Sequence, residues 1–209
     1  MEVRGPKCRL CRRVGIKLFL KGDRCYTPKC AIVKRNYPPG VQGGKKARPR
    51  LSPYGLQLRE KQKARWLYRL SEKQFQNYFL KASRTKGNTG DEMIQLLETR
   101  LDNVIFRLGW ARSRDEARQF VSHGFFRIND KRVNIPSYHL KVGEVLTGKP
   151  TIEKGKTFEY IIPTLQKVQL PRWLHGEKGK FEAKVVSVPV REDIGAVFDI
   201  KSIIEYYSK

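Results

Sequence analysis

The chain is poor in acidic residues, in cysteine and in long apolar runs, and these shortages limit what kind of protein it can be. Its 209 residues contain 20 Asp and Glu against 44 Lys and Arg, so its formal net charge is +24. No stretch approaches the roughly 20 consecutive apolar residues that a membrane-spanning helix needs. Nothing at the N-terminus resembles a signal peptide. We therefore expect a cytoplasmic chain in a reducing compartment, with no membrane as partner.

Motifs for catalysis are missing as well. The sequence has no G-x-S-x-G, no Walker loop and no H-E-x-x-H. Its three histidines, His123, His139 and His175, show no metal-ligand spacing with one another. Acidic residues such as Asp91 and Glu116 stand at predicted helix starts, where capping explains them. We expect neither an enzyme nor a small-molecule substrate.

The positive excess that remains predicts a polyanionic partner. Residues 1–52 carry +13 and residues 53–209 carry +11, so a quarter of the chain holds over half of the charge. Nucleic acid is the first candidate partner. An anionic membrane surface is a remote alternative, because the sequence lacks an amphipathic basic helix with a bulky apolar face. Because 39% of the residues are hydrophobic and 11% are aromatic, the chain can still build a core.

All four cysteines lie within the first thirty residues, as Cys-x2-Cys-x13-Cys-x4-Cys: Cys8, Cys11, Cys25 and Cys30. Paired short spacings of this kind are typical of a closed, four-thiolate structural Zn²⁺ site. The alternatives are two disulfides, a redox Cys-x-x-Cys and unliganded thiols. A reducing compartment disfavours the first, and the lack of a βαβ pattern disfavours the second. We also expect the surrounding Lys and Arg to lower the thiol pKa values.

Helical periodicity and turn signals then organise the chain. Residues 31–52 indicate a linker, and Ser52-Pro53 indicates a helix start. A capping box at Ser71–Gln74 predicts a second helix that runs to about Lys86. Apolar spacing from Met93 to Leu108 predicts one continuous helix that Gly109 ends.

The region after Gly109 changes from helical to alternating periodicity. Ser113–Glu116 predicts a short helix that ends at Gly124. Residues 125–135 alternate around Asn129-Asp130 and predict a hairpin, followed by a turn and a strand within 142–146. Residues 184–190 indicate another strand, which Pro189 would restrict to a sheet edge. Residues 200–207 favour a closing helix or strand.

Two segments closely resemble a known family: Leu101-Asp-Asn-Val-Ile-Phe-Arg-Leu-Gly-Trp110 and Ser113-Arg-Asp-Glu-Ala-Arg-Gln-Phe-Val-Ser-His-Gly124. Further matching pieces lie at 50–63, 86–90, 133–138 and 204–209. The chain resembles the bacterial small-subunit (30S) ribosomal protein S4 family over nearly its whole length. Its four cysteines resemble the zinc-binding version of that family.

The resemblance implies a fold and a function. The fold class is α+β, with a zinc-bound basic arm (1–45), a helical domain (46–98, completed by about 196–209) and an RNA-binding domain (99–195). The core module of that last domain, about 99–160, would have two helices and a short antiparallel sheet. The function implied is a structural, early-binding partner of small-subunit ribosomal RNA. Neighbouring ribosomal proteins and the messenger RNA entry path would lie close by.

The residues themselves suggest where RNA would bind. Arg100 and Arg107 would share one helix face, and Arg114 and Arg118 another, because they lie seven and four residues apart. Arg112 and Ser113 would offer a helix N-terminus to a phosphate. The remaining predicted RNA-binding residues lie on the hairpin, at the end of the short helix, and in the arm, linker and first long helix: Lys131, Arg132, His123, Arg12, Arg13, Lys45, Lys46, Arg48, Arg50, Tyr54, Arg59 and Lys63.

Two other readings compete with a ribosomal RNA binder. An RNA-modifying enzyme with the same small module would need a separate catalytic domain, and residues 149–209 are short for one. A zinc-dependent DNA-binding protein would need a placed recognition helix, and the linker after the cysteines does not provide one. For each arginine singly, a solvated surface residue or a surface pair with Asp115 or Glu116 is the alternative.

Overall fold

The computed structural model describes residues 5–41, 43–44, 50–150, 158–165, 168–177, 179–195 and 197–208. These residues form α-helices and one antiparallel sheet of five strands, so the predicted α+β class is confirmed. The chain divides into two compact units, Met1–Met93 with Gly195–Lys209 and Ile94–Ile194. None of the helices in the described ranges combines the length and the hydropathy that crossing a membrane requires.

The first unit is helical. Its helices are α1 (Lys7–Val14), α2 (Ala31–Lys34), α3 (Pro53–Leu67), α4 (Glu72–Arg84), the start of α5 (Thr89–Glu98) and α9 (Ile200–Tyr207), with a 3-10 turn at Gly22–Cys25. Ser52 Oγ accepts from the Gly55 N–H at 3.2 Å, and Ser71 Oγ accepts from the Gln74 N–H at 3.3 Å. Both predicted helix starts are thereby confirmed, because each serine satisfies an N–H that the helix itself leaves unpaired.

The cysteine-bearing arm packs as part of this unit. Leu18 and Leu20 are buried with Val14 and Ile32 against Trp66 of α3. The prediction that residues 31–52 form only a linker is wrong at its start, since α2 occupies Ala31–Lys34. The sequence did not reveal α2 because four residues are too few to show helical periodicity.

The second unit contains the end of α5, then α6 (Leu101–Arg107), α7 (Arg114–Ser122), a four-residue helix α8 (Ile162–Leu165) and a 3-10 turn at Arg191–Ile194. Its strands are β1 (Phe126–Ile128), β2 (Lys131–Arg132), β3 (Val145–Gly148), β4 (Leu174–Gly176) and β5 (Glu182–Val185). The sheet order is β2-β1-β3-β5-β4, with each neighbouring pair antiparallel. One face packs on α6 and α7 through a shared core that includes Val104, Ile105, Val121, Phe126 and Leu146.

The predicted continuous helix from Met93 to Leu108 is wrong, because it is interrupted at Thr99 and Arg100. The Leu101 N–H donates to the Tyr138 carbonyl at 2.8 Å, and the Leu140 N–H donates to the Thr99 carbonyl at 2.9 Å. Because of this strand-like pairing, Thr99 and Arg100 are not helical. The apolar spacing did not reveal the break, because the buried leucines of α5 and α6 keep the same helical spacing across it.

The hairpin prediction is confirmed, and the edge-strand prediction is corrected. Asn129 and Asp130 have φ of 46° and 63°, the left-handed geometry of a two-residue hairpin turn. β5 lies inside the sheet, between β3 and β4, and ends at Val185. Pro189 therefore falls beyond the strand and sets no limit on its position.

Candidate RNA interface

Several arginines predicted to bind RNA form an internal network around α6. Glu98 is 1% exposed and accepts from Asn103 Nδ2 at 2.7 Å and from Arg107 Nη2 at 2.8 Å. Arg114 donates from Nε to Asn103 Oδ1 at 2.8 Å, and its guanidinium lies 4.4 Å from the Phe106 ring centroid. Such charge-assisted bonds in a buried setting hold α5, α6 and α7 together.

Arg100 departs furthest from its predicted position. It precedes α6 as the N-cap residue, so it does not share a helix face with Arg107. Its side chain is 1% exposed and donates twice to the Asp102 carboxylate, at 3.0 and 2.7 Å. We call the group Glu98, Arg100, Asp102, Asn103, Arg107 and Arg114 the arginine–acid network. Its members stabilise the fold, and Arg100 has no surface to offer to RNA.

The N-terminus of α7 has its own carboxylate. Ser113 is buried and accepts from the Glu116 N–H at 3.3 Å. Glu116 pairs with Arg112 at 2.9 Å, accepts from the Arg112 N–H at 2.7 Å and accepts from Tyr160 at 2.7 Å. The Arg112 guanidinium lies 3.8 Å from the Tyr160 ring centroid. Glu116 therefore lies where the sequence suggested a phosphate.

These contacts shift two pKa values in opposite directions. Burial raises the pKa of Glu116, but the hydrogen bonds from Arg112 and Tyr160 outweigh it, and the net pKa is lowered. Burial first and the Glu116 carboxylate second raise the pKa of Tyr160 to about 12. At neutral pH the pair is a carboxylate and a neutral phenol, which suits the observed hydrogen bond.

The other end of α7 meets the β1–β2 hairpin and presents cations to solvent. His123, Arg127, Lys131 and Arg132 are exposed, and we call them the hairpin surface. Within the described residues, none of the three basic members has an ion pair. Arg118, half-buried on α7, has none there either. Arg127 was not among the RNA-binding residues predicted from the sequence, although its place between buried Phe126 and Ile128 in an alternating strand indicates an exposed side chain.

Gly124 joins α7 to the hairpin surface. It has a φ of 66°, and its N–H donates to the Val121 carbonyl while the Phe125 N–H donates to the Phe120 carbonyl. This is a Schellman ending, which favours glycine. A Cβ added to Gly124 would lie 2.4 Å from Arg132 Nε, so the guanidinium rests directly against the Gly124 backbone.

The predicted residues of the first unit are partly structural. Arg12 donates to the carbonyls of Tyr37 and Pro38, and Arg59 donates to the Val14 carbonyl. Lys63 pairs with Glu60 on the same helix. The remaining predicted residues in this unit are exposed on the arm and around the start of α3, or lie outside the described ranges: Arg13, Arg50 and Tyr54 in the first group, and Lys45, Lys46 and Arg48 in the second.

The four cysteines are reduced and surround one small cavity. Cys8 and Cys11 lie one turn apart on α1, Cys25 ends the 3-10 turn and Cys30 precedes α2. The Lys21 N–H donates to Cys25 Sγ at 3.4 Å. However, no three His, Cys, Asp or Glu side chains in the described part of the chain are arranged as a metal-ligand group. Four thiols suit Zn²⁺ in their chemistry, but the arrangement of the described residues does not support the zinc-bound arm expected from the sequence.

The expectation of lowered thiol pKa values is wrong for Cys11. Burial is the largest effect and raises the pKa of this thiol, and the hydrogen bond from the Leu18 backbone lowers it by less. The neighbouring Cys25, Cys8 and Cys30 raise it further. Burial of the sulfur therefore dominates the pKa of Cys11.

Comparison with known proteins gives the family. A family model for the ribosomal protein S4/S9 N-terminal domain matches residues 2–98, and one for the S4 domain matches residues 99–146. Proteins named small ribosomal subunit protein uS4 from Heliobacterium modesticaldum and Geobacter sulfurreducens are 51% and 50% identical over 205 residues. Each alignment covers 98% of both chains. This chain belongs to the uS4 family.

Membership in the uS4 family extends over both units. A relative from Clostridium acetobutylicum, named small ribosomal subunit protein uS4A, is 52% identical over 208 residues, again 98% of both chains. The S4 domain match covers α6, α7 and the β1–β2 hairpin, and it ends within β3. The arginine–acid network from Arg100 onward and the hairpin surface therefore lie in the same small domain.

Proposed function

We propose that this chain is a structural constituent of the small ribosomal subunit that binds small-subunit ribosomal RNA in the cytoplasm. Relatives named as small ribosomal subunit proteins, aligned over nearly their whole length, support this role and disfavour an enzyme. The main support for an RNA contact comes from the hairpin surface. Its exposed cations have no acidic partner among the described residues. Unpaired arginines and lysines of this kind suit phosphate oxygens.

The predicted RNA-binding residues fall into three groups under this proposal. Arg118, His123, Lys131 and Arg132 contact RNA directly, and exposed Arg13, Arg50 and Tyr54 extend the contact in the first unit. Arg12, Arg59, Arg100, Arg107 and Arg114 mainly hold the protein in the shape that RNA recognises. Arg112 and Lys63 are ion-paired and contribute less.

A direct test replaces Arg118, Lys131 and Arg132 together by Gln. Affinity for in vitro transcribed small-subunit ribosomal RNA should fall by about two orders of magnitude. The slope of log K against log salt should become shallower by about 0.7–0.9 for each phosphate that the variant no longer binds. The matched control replaces exposed Lys141, Arg172 and Lys184 of the same unit by Gln. Equal reductions of affinity in the two triple variants would contradict the placement.

Assembly and messenger RNA proximity extend the same proposal. A net charge of +13 over residues 1–52 would attract ribosomal RNA early, which suits a protein that nucleates subunit assembly beside neighbouring ribosomal proteins. The basic residues Lys45, Lys46, Arg48 and Arg50 would line the messenger RNA entry path. A photo-crosslinking residue at position 48 in reconstituted subunits should capture messenger RNA, whereas one at position 172 should not. Equal capture from both positions would contradict this placement.

We also propose one structural Zn²⁺ held by Cys8, Cys11, Cys25 and Cys30. Support comes from four thiols around one cavity and from the N–H donor at Cys25. When bound, zinc would cross-link α1 to the segment before α2. Metal analysis of reduced, chelator-free protein should find one zinc per chain, and a Cys11→Ser variant should lose it. A stoichiometry near zero in the unaltered protein would refute this proposal.

A further inference from the structure

Two arginines of the hairpin surface face each other directly. Arg127 of β1 and Arg132 of β2 are partners in the antiparallel register, next to the Ile128–Lys131 pair that closes the two-residue turn. The Val133 N–H donates to the Phe126 carbonyl on the far side. Arg127 and Arg132 thus form a pair without mutual backbone hydrogen bonds, where Cα atoms are about 4.5 Å apart and side chains lie closest.

Both side chains lie on the solvent face of the sheet. Phe126 and Ile128 on either side of Arg127 are buried, so Arg127 points the opposite way, and its directly opposite partner shares that face. The same row continues through half-buried Thr147 to exposed Glu182, two strands from Arg127. Glu182 forms no ion pair with either arginine in the described structure. Two like charges directly opposite destabilise a hairpin, so this arrangement opposes folding.

Both arginines are exposed, and the Arg132 guanidinium lies close to the backbone at the end of α7. The Arg132 guanidinium rests against Gly124, at the C-terminal end of α7, where the helix dipole is negative. A Cβ at position 124 would lie 2.4 Å from Nε and 2.8 Å from Nη2, so a larger residue there would displace the guanidinium. The two arginines are thus register partners on one exposed face, and neither forms an ion pair with an acid of the described residues. An anion between them would convert the repulsion into two attractions.

We propose that Arg127 and Arg132 clamp one backbone phosphate of the bound ribosomal RNA, and that Arg127 is a further RNA-binding residue. This rests on the proposed function. The phosphate accepts from both guanidinium groups, each of which offers several donors in a planar fork. The clamp makes a signature that a purely structural residue would not show: Arg127 destabilises the free protein and stabilises its complex.

The test measures both properties in the full chain. Arg127→Gln should raise the unfolding temperature of the RNA-free protein by about 1–3 °C, because the repulsion is removed. It should weaken binding to in vitro transcribed small-subunit ribosomal RNA by about tenfold. Arg127→Lys keeps the charge but not the fork, so it should recover only part of that affinity. Lys184→Gln, on the same face in β5, is the control and should leave affinity unchanged.

The outcomes separate the clamp from the function on which it rests. A higher unfolding temperature together with a lower RNA affinity in Arg127→Gln, with neither change in Lys184→Gln, would support the clamp. An unchanged RNA affinity in Arg127→Gln would overturn it, and the pair would then suit an acidic protein surface. If the unaltered chain bound ribosomal RNA no better than an unrelated RNA of equal length, the proposed function itself would fail.

Discussion

The arginine–acid network and the hairpin surface lie in the same unit, yet they treat the same side chain in opposite ways. In the network, Arg100 and Arg107 each donate to a carboxylate that is almost completely buried. On the hairpin surface, Arg127 and Arg132 face each other with no such carboxylate among the described residues. A paired, buried arginine supports the fold, whereas an exposed arginine opposite another cation remains available to an anionic ligand. The presence or absence of a carboxylate partner thus distinguishes arginines that stabilise the fold from arginines that we propose bind RNA.

The strongest way to break this comparison is to remove the most buried cation. Arg100→Ala would leave Asp102, whose side chain is 6% exposed, without its partner. Breaking a buried pair from one side costs about 3–5 kcal/mol of unfolding free energy. Denaturant unfolding of the full chain would measure this destabilisation, with Arg172→Ala as an exposed control. A change below about 1 kcal/mol would show that Arg100 is not part of the fold's support.

A second pair of variants compares the two regions directly. Arg107→Gln should cost about 2 kcal/mol, because Glu98 is 1% exposed and loses a double hydrogen bond. Arg118→Gln should change stability by less than about 0.5 kcal/mol and should weaken ribosomal RNA binding instead. Unfolding and RNA titration of both variants would check this. The comparison fails if Arg118→Gln is the more destabilising change.

The sequence was informative where local chemistry decides the structure. Capping serines at Ser52 and Ser71 and the Asn129-Asp130 turn predicted their elements correctly, because each acts within a few residues of itself. The break at Arg100 could not be predicted, because a strand-like partner at His139 causes it. Its pairing with Asp102 is equally invisible, since a charged residue two positions away predicts no burial.

Candidate site residues were predictable by type more than by role. Lys131 and Arg132 lie in an exposed hairpin, as their alternation predicted. Arg114 was expected at a helix N-terminus, but its burial over Phe106 depends on how α6 and α7 pack, which spacing alone does not reveal. Arg127 was missed because a single charge in a strand is ordinary. Its meaning came only from the register that places Arg132 opposite it.

Gly124 connects α7 to the hairpin surface, so changing it sharpens the comparison at their junction. Gly124→Ala would force a side chain into a φ of 66° and would displace the Arg132 guanidinium. We expect stability to fall by about 1–2 kcal/mol and RNA binding to weaken. Gly143→Ala offers a matched control, because its φ is 91° but nothing lies within 4 Å of the added Cβ. RNA affinity should fall in the first variant alone.

The smallest expected effect concerns the hydrogen bond between Tyr160 and Glu116 at the start of α7. Tyr160→Phe removes the hydroxyl that donates to Glu116 Oε1 at 2.7 Å, so stability near pH 7 should fall by about 1 kcal/mol. Because the folded-state pKa of Glu116 is lowered, its contribution is present above the pKa of the unfolded state and is lost as pH falls through the folded value. The difference between Tyr160→Phe and the unaltered chain should therefore shrink below about pH 4.

In the alkaline range the pH dependence has the opposite direction, because the pKa of Tyr160 is raised to about 12. The contribution of Tyr160 to stability is complete below the ordinary pKa of 10.0 and is lost as pH rises toward 12. Unfolding curves at about pH 3.5, 7 and 11 would check both limbs. A stability difference that stayed constant with pH would show that the hydroxyl acts by packing and that Arg112 alone holds Glu116 in its charged form.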